Sequence, residues 1–122
     1  MSNESRNLIV VVTHGIDHEL SSVALTIARG GVAAGLNVSL FLTSAGVDLV
    51  RRGATELTHV APLNPLGEML KDFLARGGVI WACPPCAKSR GYAQESLLDG
   101  VVIAGAAHMH EQIKGGAATL CF

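Results

Sequence analysis

Apolar residues occur along this chain in short continuous runs that alternate with longer segments of helical periodicity. Residues 8–12 and 37–42 form two such runs, and continuous apolar runs of this length predict strands that are buried on both faces. Between them, from Asp17 as N-cap to a terminating Gly35, apolar residues recur with the spacing of an amphipathic helix. A strand, a helix and a strand of these lengths predict a right-handed crossover between parallel strands.

The alternation of strands and helices continues to the end of the chain. After a loop at 54–63, we predict a helix with Asn64 as N-cap and Pro65 in its first turn, ending at Gly77. The remaining predicted elements are a short helix at 43–50 that stops at Gly53, strands at 79–82, 101–103 and 117–122, a helix that begins at Pro84, and a helix at 105–114. This alternation predicts a single α/β domain over 1–122, with a polar tail at 1–6 and a mostly parallel five-stranded sheet.

The junction between the third predicted strand and the next helix carries the strongest candidate chemistry. Cys83 comes directly after the apolar run, and Pro84 suits a first helical turn because its missing N–H would have no intrahelical partner. We therefore expect Cys83 at the N-cap, where unpaired amides and the helix dipole favour a thiolate. Cys86 follows one helical turn later, within disulfide reach, and either resolves a modified Cys83 or only packs.

Further polar residues are expected at the same edge of the sheet, since ligands of open α/β sheets bind outside the carboxyl ends of the strands. His14, Thr43 with Ser44, Cys83 and His108 all follow predicted strands. If the first and third strands are neighbours, His14 approaches Cys83 and acts as its proton acceptor or cationic partner. The alternative for His14 is a local hydrogen bond to the backbone.

The charge balance argues against a nucleic-acid-binding or membrane-surface protein. The 122-residue chain has a net charge of −1 at pH 7, whereas those partners require a concentrated basic face. The polar start at 1–7 does not read as a targeting signal, and turn-forming and polar residues interrupt the uncharged stretch between Arg29 and Asp48. We therefore expect a cytoplasmic protein without membrane or nucleic-acid partners.

The chain is apolar for a small soluble domain. Its mean hydropathy is +0.40 and 16% of its residues are charged, so we expect part of the surface to lie in an interface of a homo-oligomer. Three cysteines, an odd number, are typical of an intracellular chain whose thiols are catalytic, metal-binding or buried. For Cys121, within the apolar closing strand, we predict a place in the core.

Two other uses of the cysteine pair are a zinc site and a dithiol redox site. Zinc is disfavoured because the chain has no second CxxC, and because His108 and His110 would lie on different faces of a helix. A thioredoxin-like oxidoreductase also carries CxxC at a helix start, but its motif comes early and needs a later cis-proline, whereas no proline follows Pro85 here. A dithiol redox protein is therefore the second hypothesis.

Three motifs together resemble the DsrE/DsrF-like family of small sulfur-relay proteins, including its YchN-like members. They are Cys83-x-x-Cys86-x3-Arg90-Gly91 after a buried strand, Thr13-His14-Gly15 after the opening strand, and the segment from Val38 to Val47. The resemblance spans residues 8–122, and the spacing from the cysteines to the Arg-Gly pair is its most specific part.

The resemblance implies a three-layer α/β/α sandwich, assembly into homo-trimers or homo-hexamers, and a persulfide carried on the cysteine that matches Cys83. We expect Cys83, with Cys86, to accept sulfane sulfur from a donor protein and pass it to an acceptor protein. Such a protein is a sulfurtransferase-like relay rather than a classical turnover enzyme, and we expect no cofactor and no metal.

Three residues are expected to support the cysteines: His14, Arg90 and His108. For Arg90 the alternatives are added positive potential, a pair with a carboxylate such as Glu95, or closure of the helix before a glycine. Two cysteines together are typical of the YchN-like branch. The third hypothesis is a non-enzymatic oligomeric protein whose cysteines are structural or bind metal.

Overall fold

A computed structural model describes residues 6–122 and shows strands and helices in the alternation that the sequence predicts. The strands are β1 (Asn7–Val12), β2 (Asn37–Leu42), β3 (Val79–Ala82), β4 (Val101–Ile103) and β5 (Ala118–Cys121). The helices are α1 (Glu19–Ala33), α2 (Leu66–Ala75), α3 (Pro84–Ser89) and α4 (Ala106–Lys114), with 3-10 helices at Ser44–Val50 and Gln94–Ser96. Within the described residues, none of the helices is both long and apolar enough to span a bilayer.

The strands lie where the sequence predicts them, but two helix starts and one helix type differ. His18, not Asp17, is the N-cap of α1, because its Nδ1 accepts a hydrogen bond of 3.1 Å from the amide of Leu20. Pro65, not Asn64, is the N-cap of α2. The segment Ser44–Val50 is a 3-10 helix, which is the tighter form used for short connections.

All five strands are parallel, in the order β4-β3-β2-β1-β5. From β1 to β4 each crossover moves the chain in the same direction, and right-handed crossovers in one direction place their helices on one face of the sheet. The connection from β4 to β5 runs back across the sheet, so α4 packs on the opposite face. Loops that leave β3 and β4 therefore diverge, and this is the point where open α/β sheets bind ligands.

The two faces of the sheet are covered unequally. A large buried cluster joins β1, β2 and β3 to α1 and α2, and its fully buried side chains include Leu25, Leu40, Leu70 and Phe73. The opposite cluster contains only four buried residues, and α4, which packs over it, has no buried residue of its own. The three-layer arrangement is therefore present, with one thick layer and one thin layer.

The first 3-10 helix packs directly against the end of β1. A Cβ placed on Gly46 would lie 2.2 Å from the carbonyl oxygen of Val12, which is far inside contact distance. The amide of Thr43 donates to the same carbonyl at 3.1 Å. Only glycine at position 46 allows this approach, so the position of the 3-10 helix is set by backbone contact with β1.

Gly46→Ala is expected to lower the free energy of unfolding by about 1–3 kcal/mol, because the new methyl group must displace the 3-10 helix from β1. Urea denaturation measures this change. The matched control is Gly30→Ala in α1, where a Cβ meets nothing within 4 Å and helix propensity is expected to raise stability by about 0.5–1 kcal/mol. Equal unfolding midpoints for Gly46→Ala and wild type would show that the backbone of β1 does not exclude a side chain at position 46.

Candidate functional site

The pairing of β2 with β3 places two strand ends side by side. Leu42 is paired with Ala82, so Thr43 and Cys83 are the first residues beyond the paired strands. The amide of Cys83 donates to the carbonyl of Leu42 at 2.8 Å. Cys83 is the N-cap of α3, as the sequence predicts, and is half-buried, but its side chain makes no capping hydrogen bond.

The hydrogen-bond donors at this edge converge on Cys86 instead. The amide of Ser44 donates to Cys86 Sγ at 3.2 Å. The Thr43 hydroxyl lies 3.6 Å from the same sulfur and can donate to it when the thiol is ionised. We call Thr43 and Ser44 the thiol cradle.

These contacts favour the ionised form of Cys86. Hydrogen bonding by the Thr43 hydroxyl, followed by that of the Ser44 amide, lowers the pKa of the Cys86 thiol. Partial burial opposes this shift, while the Cys83 side chain and the positive charge of Arg90 add to it. The structure therefore provides a thiolate-stabilising environment at Cys86.

Ser44, whose amide donates to the sulfur, has an unusual backbone conformation. Ser44 has a φ of 54° and, among the described residues, is the one non-glycine residue with positive φ. The left-handed region costs a non-glycine residue about 1–2 kcal/mol. Strain of this kind is typical of functional sites, where the surrounding structure holds it in place.

A second set of polar contacts ties the 3-10 helix to the C-terminal end of α3. Arg90 Nε lies 3.3 Å from Asp48 Oδ1, and Arg90 Nη1 donates to the carbonyl of Cys86 at 3.3 Å. The Tyr92 hydroxyl donates to Asp48 at 2.6 Å. Burial and this hydrogen bond to a carboxylate raise the pKa of Tyr92. Arg90 is thus the C-cap of α3, which was one of its predicted roles. Its carboxylate partner is Asp48 rather than the predicted Glu95.

His14 lies two strands away from Cys83. Because β2 separates β1 from β3, the condition under which His14 would assist Cys83 is not met. The His14 ring stands 4.0 Å from that of His18, its Nδ1 is 3.5 Å from the Thr13 hydroxyl, and its carbonyl accepts from Ser21. The contacts of His14 are therefore local, but its ring faces the Thr13 side chain and the His18 ring rather than the backbone.

His108 and Cys121 also lie apart from the cradle. The exposed His108 ring packs against Trp81, with centroids 5.8 Å apart, on the face of the sheet covered by α4. Cys121 is exposed, so its predicted place in the core is wrong. The reason is that β5 is an edge strand whose four residues are all exposed.

In the chain from residue 6 to 122, no group of three or more His, Cys, Asp or Glu side chains is arranged to hold a metal ion.

Thr43 and Ser44 were expected at a strand end but without a role, and no sequence pattern singled out Asp48 or Tyr92. A signal for the first two was present, because consecutive strands often pair and their carboxyl ends then meet. No local pattern connects Asp48 with Arg90, since they lie 42 positions apart in the chain.

Thr43→Val is expected to raise the pKa of Cys86, because valine keeps the shape of threonine and removes the hydroxyl donor. A hydrogen bond to a charged group is worth about 1.5–3 kcal/mol, so alkylation at neutral pH should slow by about tenfold or more. The pH dependence of iodoacetamide alkylation, in a Cys83→Ser, Cys121→Ser background, measures the shift.

The matched control for this measurement is Thr26→Val in the same background. Thr26 lies in α1 and donates to the carbonyl of Ser22, away from the cysteines. Its removal should leave the alkylation profile of Cys86 unchanged. A Thr43→Val profile that coincides with that of the background protein would show that the hydroxyl does not stabilise the thiolate.

Comparison with known proteins agrees with the resemblance seen in the sequence. The chain is 30% identical over 105 residues to the uncharacterized protein MJ0989 of Methanocaldococcus jannaschii, covering 86% of each chain. It is 31% identical over 96 residues to the uncharacterized protein MK0008 of Methanopyrus kandleri, covering 79% of this chain and 76% of that one.

Solved structures share the fold. The ychN protein from E. coli superposes with a TM-score of 0.80 at 22% identity, covering 98% of this chain and all of that one. The protein MTH1491 from Methanobacterium thermoautotrophicum superposes with a TM-score of 0.74 at 18% identity, with the same coverage. A sequence profile of the DsrE/DsrF-like family matches residues 6–122. This chain, with its parallel sheet and its strand-end cysteine pair, therefore belongs to the DsrE/DsrF-like family.

Proposed function

We propose that this protein is a sulfur carrier that accepts sulfane sulfur as a persulfide on Cys83 and relays it to a partner protein. Membership of a family with a sulfur-relay-related fold supports the proposal. The thiolate is the nucleophile in such transfers, so the site needs an ionised, reachable cysteine. Cys83 and Cys86 are both only partly buried, at the edge of the sheet where ligands bind.

The observation that carries the proposal is the thiol cradle. A cysteine that only filled space in the core would need no hydrogen-bond donors around its sulfur. Cys86 Sγ, however, accepts a hydrogen bond from the amide of Ser44, a residue in the strained left-handed region. Cys83 lies three residues away, at the start of the same helix. A stabilised thiolate beside a second thiol is suited to taking up and passing on a sulfur atom.

Incubation with glutathione persulfide is expected to add the mass of one sulfur atom to Cys83, because the transfer exchanges one sulfur–sulfur bond for another. Peptide mass mapping after alkylation locates the added atom. A Cys83→Ser, Cys86→Ser double variant should take up far less, because only the exposed Cys121, outside the cradle, remains.

Cys121→Ser is the matched control for the loading experiment, since Cys121 is an exposed thiol outside the cradle. It should load as well as wild type does. Uptake that persists undiminished in the double variant, or that is lost in Cys121→Ser, would refute the proposed carrier site.

A dithiol redox protein is the second candidate, favoured by the spacing of the two thiols. Cys83 and Cys86 lie one helical turn apart and are both half-buried beside the large core cluster, so their spacing suits a CxxC disulfide. A glutathione redox titration separates the candidates. A Cys83–Cys86 disulfide with a midpoint within the cytosolic range of about −220 to −320 mV, together with no sulfur uptake, would favour the redox protein.

We also propose that the chain assembles into a homo-oligomer through the face covered by α4. Val102 is 51% exposed and Val79 40% exposed, and both lie beside Trp81 on this face. Ile113 of α4 is exposed as well. Apolar side chains grouped around one thin layer are typical of surfaces that a second subunit covers. The resemblance to the family implies a trimer or hexamer.

Val102→Glu is expected to dissociate this assembly, because burying an unpaired carboxylate costs several kcal/mol or more. Light scattering coupled to size exclusion measures the mass. The control is Leu57→Glu, since Leu57 is 97% exposed in the loop before α2. Dissociation by Leu57→Glu, with Val102→Glu unchanged, would place the subunit contact elsewhere.

A further inference from the structure

The thiol cradle distinguishes the two cysteines of the pair. Thr43 and Ser44 both reach the sulfur of Cys86. Cys83, at the start of α3, has no capping hydrogen bond to its side chain. The two sulfur atoms are neighbours in space but differ in the donors around them.

This difference matters once a sulfur atom is bound. A free thiolate carries its charge on Sγ, where the Ser44 amide and the Thr43 hydroxyl lie. In a persulfide the charge moves to the terminal sulfur, and Sγ becomes a neutral, weaker acceptor. The cradle therefore stabilises Cys86 as a free thiolate relative to Cys86 as a persulfide.

We propose that Cys86 receives sulfur from the donor and transfers it to Cys83, which holds it for the acceptor. The cradle sets this direction, because Cys86 is the better leaving group of the two. This assignment rests on the proposed carrier function and adds an order of events to it.

Both steps conserve atoms and electrons. In the first, the Cys86 thiolate attacks the terminal sulfur of the donor persulfide, the new sulfur–sulfur bond forms, and the donor leaves as a thiolate. In the second, Cys83, after losing its proton to solvent, attacks the same sulfur atom, and Cys86 leaves as a thiolate into the cradle. The transferred sulfur keeps its oxidation state throughout, so no oxidant or reductant is needed.

The spacing of the pair suits an internal transfer. Residues three apart at a helix start lie on adjoining faces about one turn apart. Cys83 also packs against both core clusters, which holds it at the boundary between the two faces of the sheet. A thiol with a low pKa attacks readily at neutral pH and also leaves readily, which is the combination that an entry residue requires.

The order of events is tested by rapid quenching of the full chain with glutathione persulfide as donor, followed by alkylation and peptide mass mapping. In wild type, the added sulfur should appear first on Cys86 and then on Cys83. In Cys83→Ser it should remain on Cys86. In Cys86→Ser, loading of Cys83 should slow by about tenfold or more, in line with loss of the readily ionised thiol.

Thr43→Val tests the role of the cradle in the same assay. The ratio of sulfur on Cys83 to sulfur on Cys86 at equilibrium should fall by about tenfold for each unit by which the Cys86 pKa rises. Thr26→Val should leave this ratio unchanged. Because both valine variants keep both cysteines, a change in the ratio reports on the cradle and not on the loss of a thiol.

Three results would overturn the order proposed here. Loading of Cys83 in Cys86→Ser at the wild-type rate would show that Cys83 takes sulfur directly. An unaltered ratio in Thr43→Val would show that the cradle does not set the direction. Hydrosulfide with a Cys83–Cys86 disulfide as the main product would show that Cys83 attacks the inner sulfur instead. If no cysteine gains sulfur, the carrier function itself fails, and this order of events fails with it.

Discussion

The parallel pairing of β2 with β3 is the constraint on which the candidate site depends. It aligns Leu42 with Ala82, so the chain segments that leave these strands begin side by side. One segment supplies Thr43 and Ser44, and the other supplies the cysteines. A shift in register by one residue would move every side chain of a strand to the opposite face and disrupt its packing against both helical layers, so the register is strongly specified. This register therefore fixes the position of Thr43 and Ser44 relative to the cysteines.

Direct hydrogen bonds, rather than the dipole of α3, account for the favoured ionisation at this site. A helix dipole contributes about 0.3–1 kcal/mol near an exposed helix end, and α3 has only six residues. A hydrogen bond to a charged group contributes about 1.5–3 kcal/mol. The donors come from the neighbouring strand end and reach the second cysteine, so the thiolate-stabilising environment lies one helical turn beyond the N-cap.

Because the two faces of the sheet are covered unequally, the thiol cradle and the exposed apolar surface lie in different regions of the molecule. The cradle lies with the 3-10 helix and α3, beside the large core cluster. The exposed apolar residues Val79 and Val102 lie on the face covered by α4, where His108 packs against Trp81. Subunit contact through that face would leave the Cys86 side of the sheet edge open. Cys83, which contacts both clusters, is the residue between these two regions.

The sequence by itself determined the order and type of nearly all elements, the parallel sheet, and the position of Cys83 at the start of a helix. These properties depend on local periodicity, on Pro84 and on short apolar runs, all of which can be read within a few residues. Tertiary structure decided which strands are neighbours, and with it that His14 is separated from Cys83 by β2. It also decided that Thr43 and Ser44 act on Cys86, that Arg90 pairs with Asp48, and that Cys121 is exposed on an edge strand. These contacts join residues about 40 positions apart or depend on strand order, and the free energy that selects them comes from burying the whole sheet rather than from any local pattern.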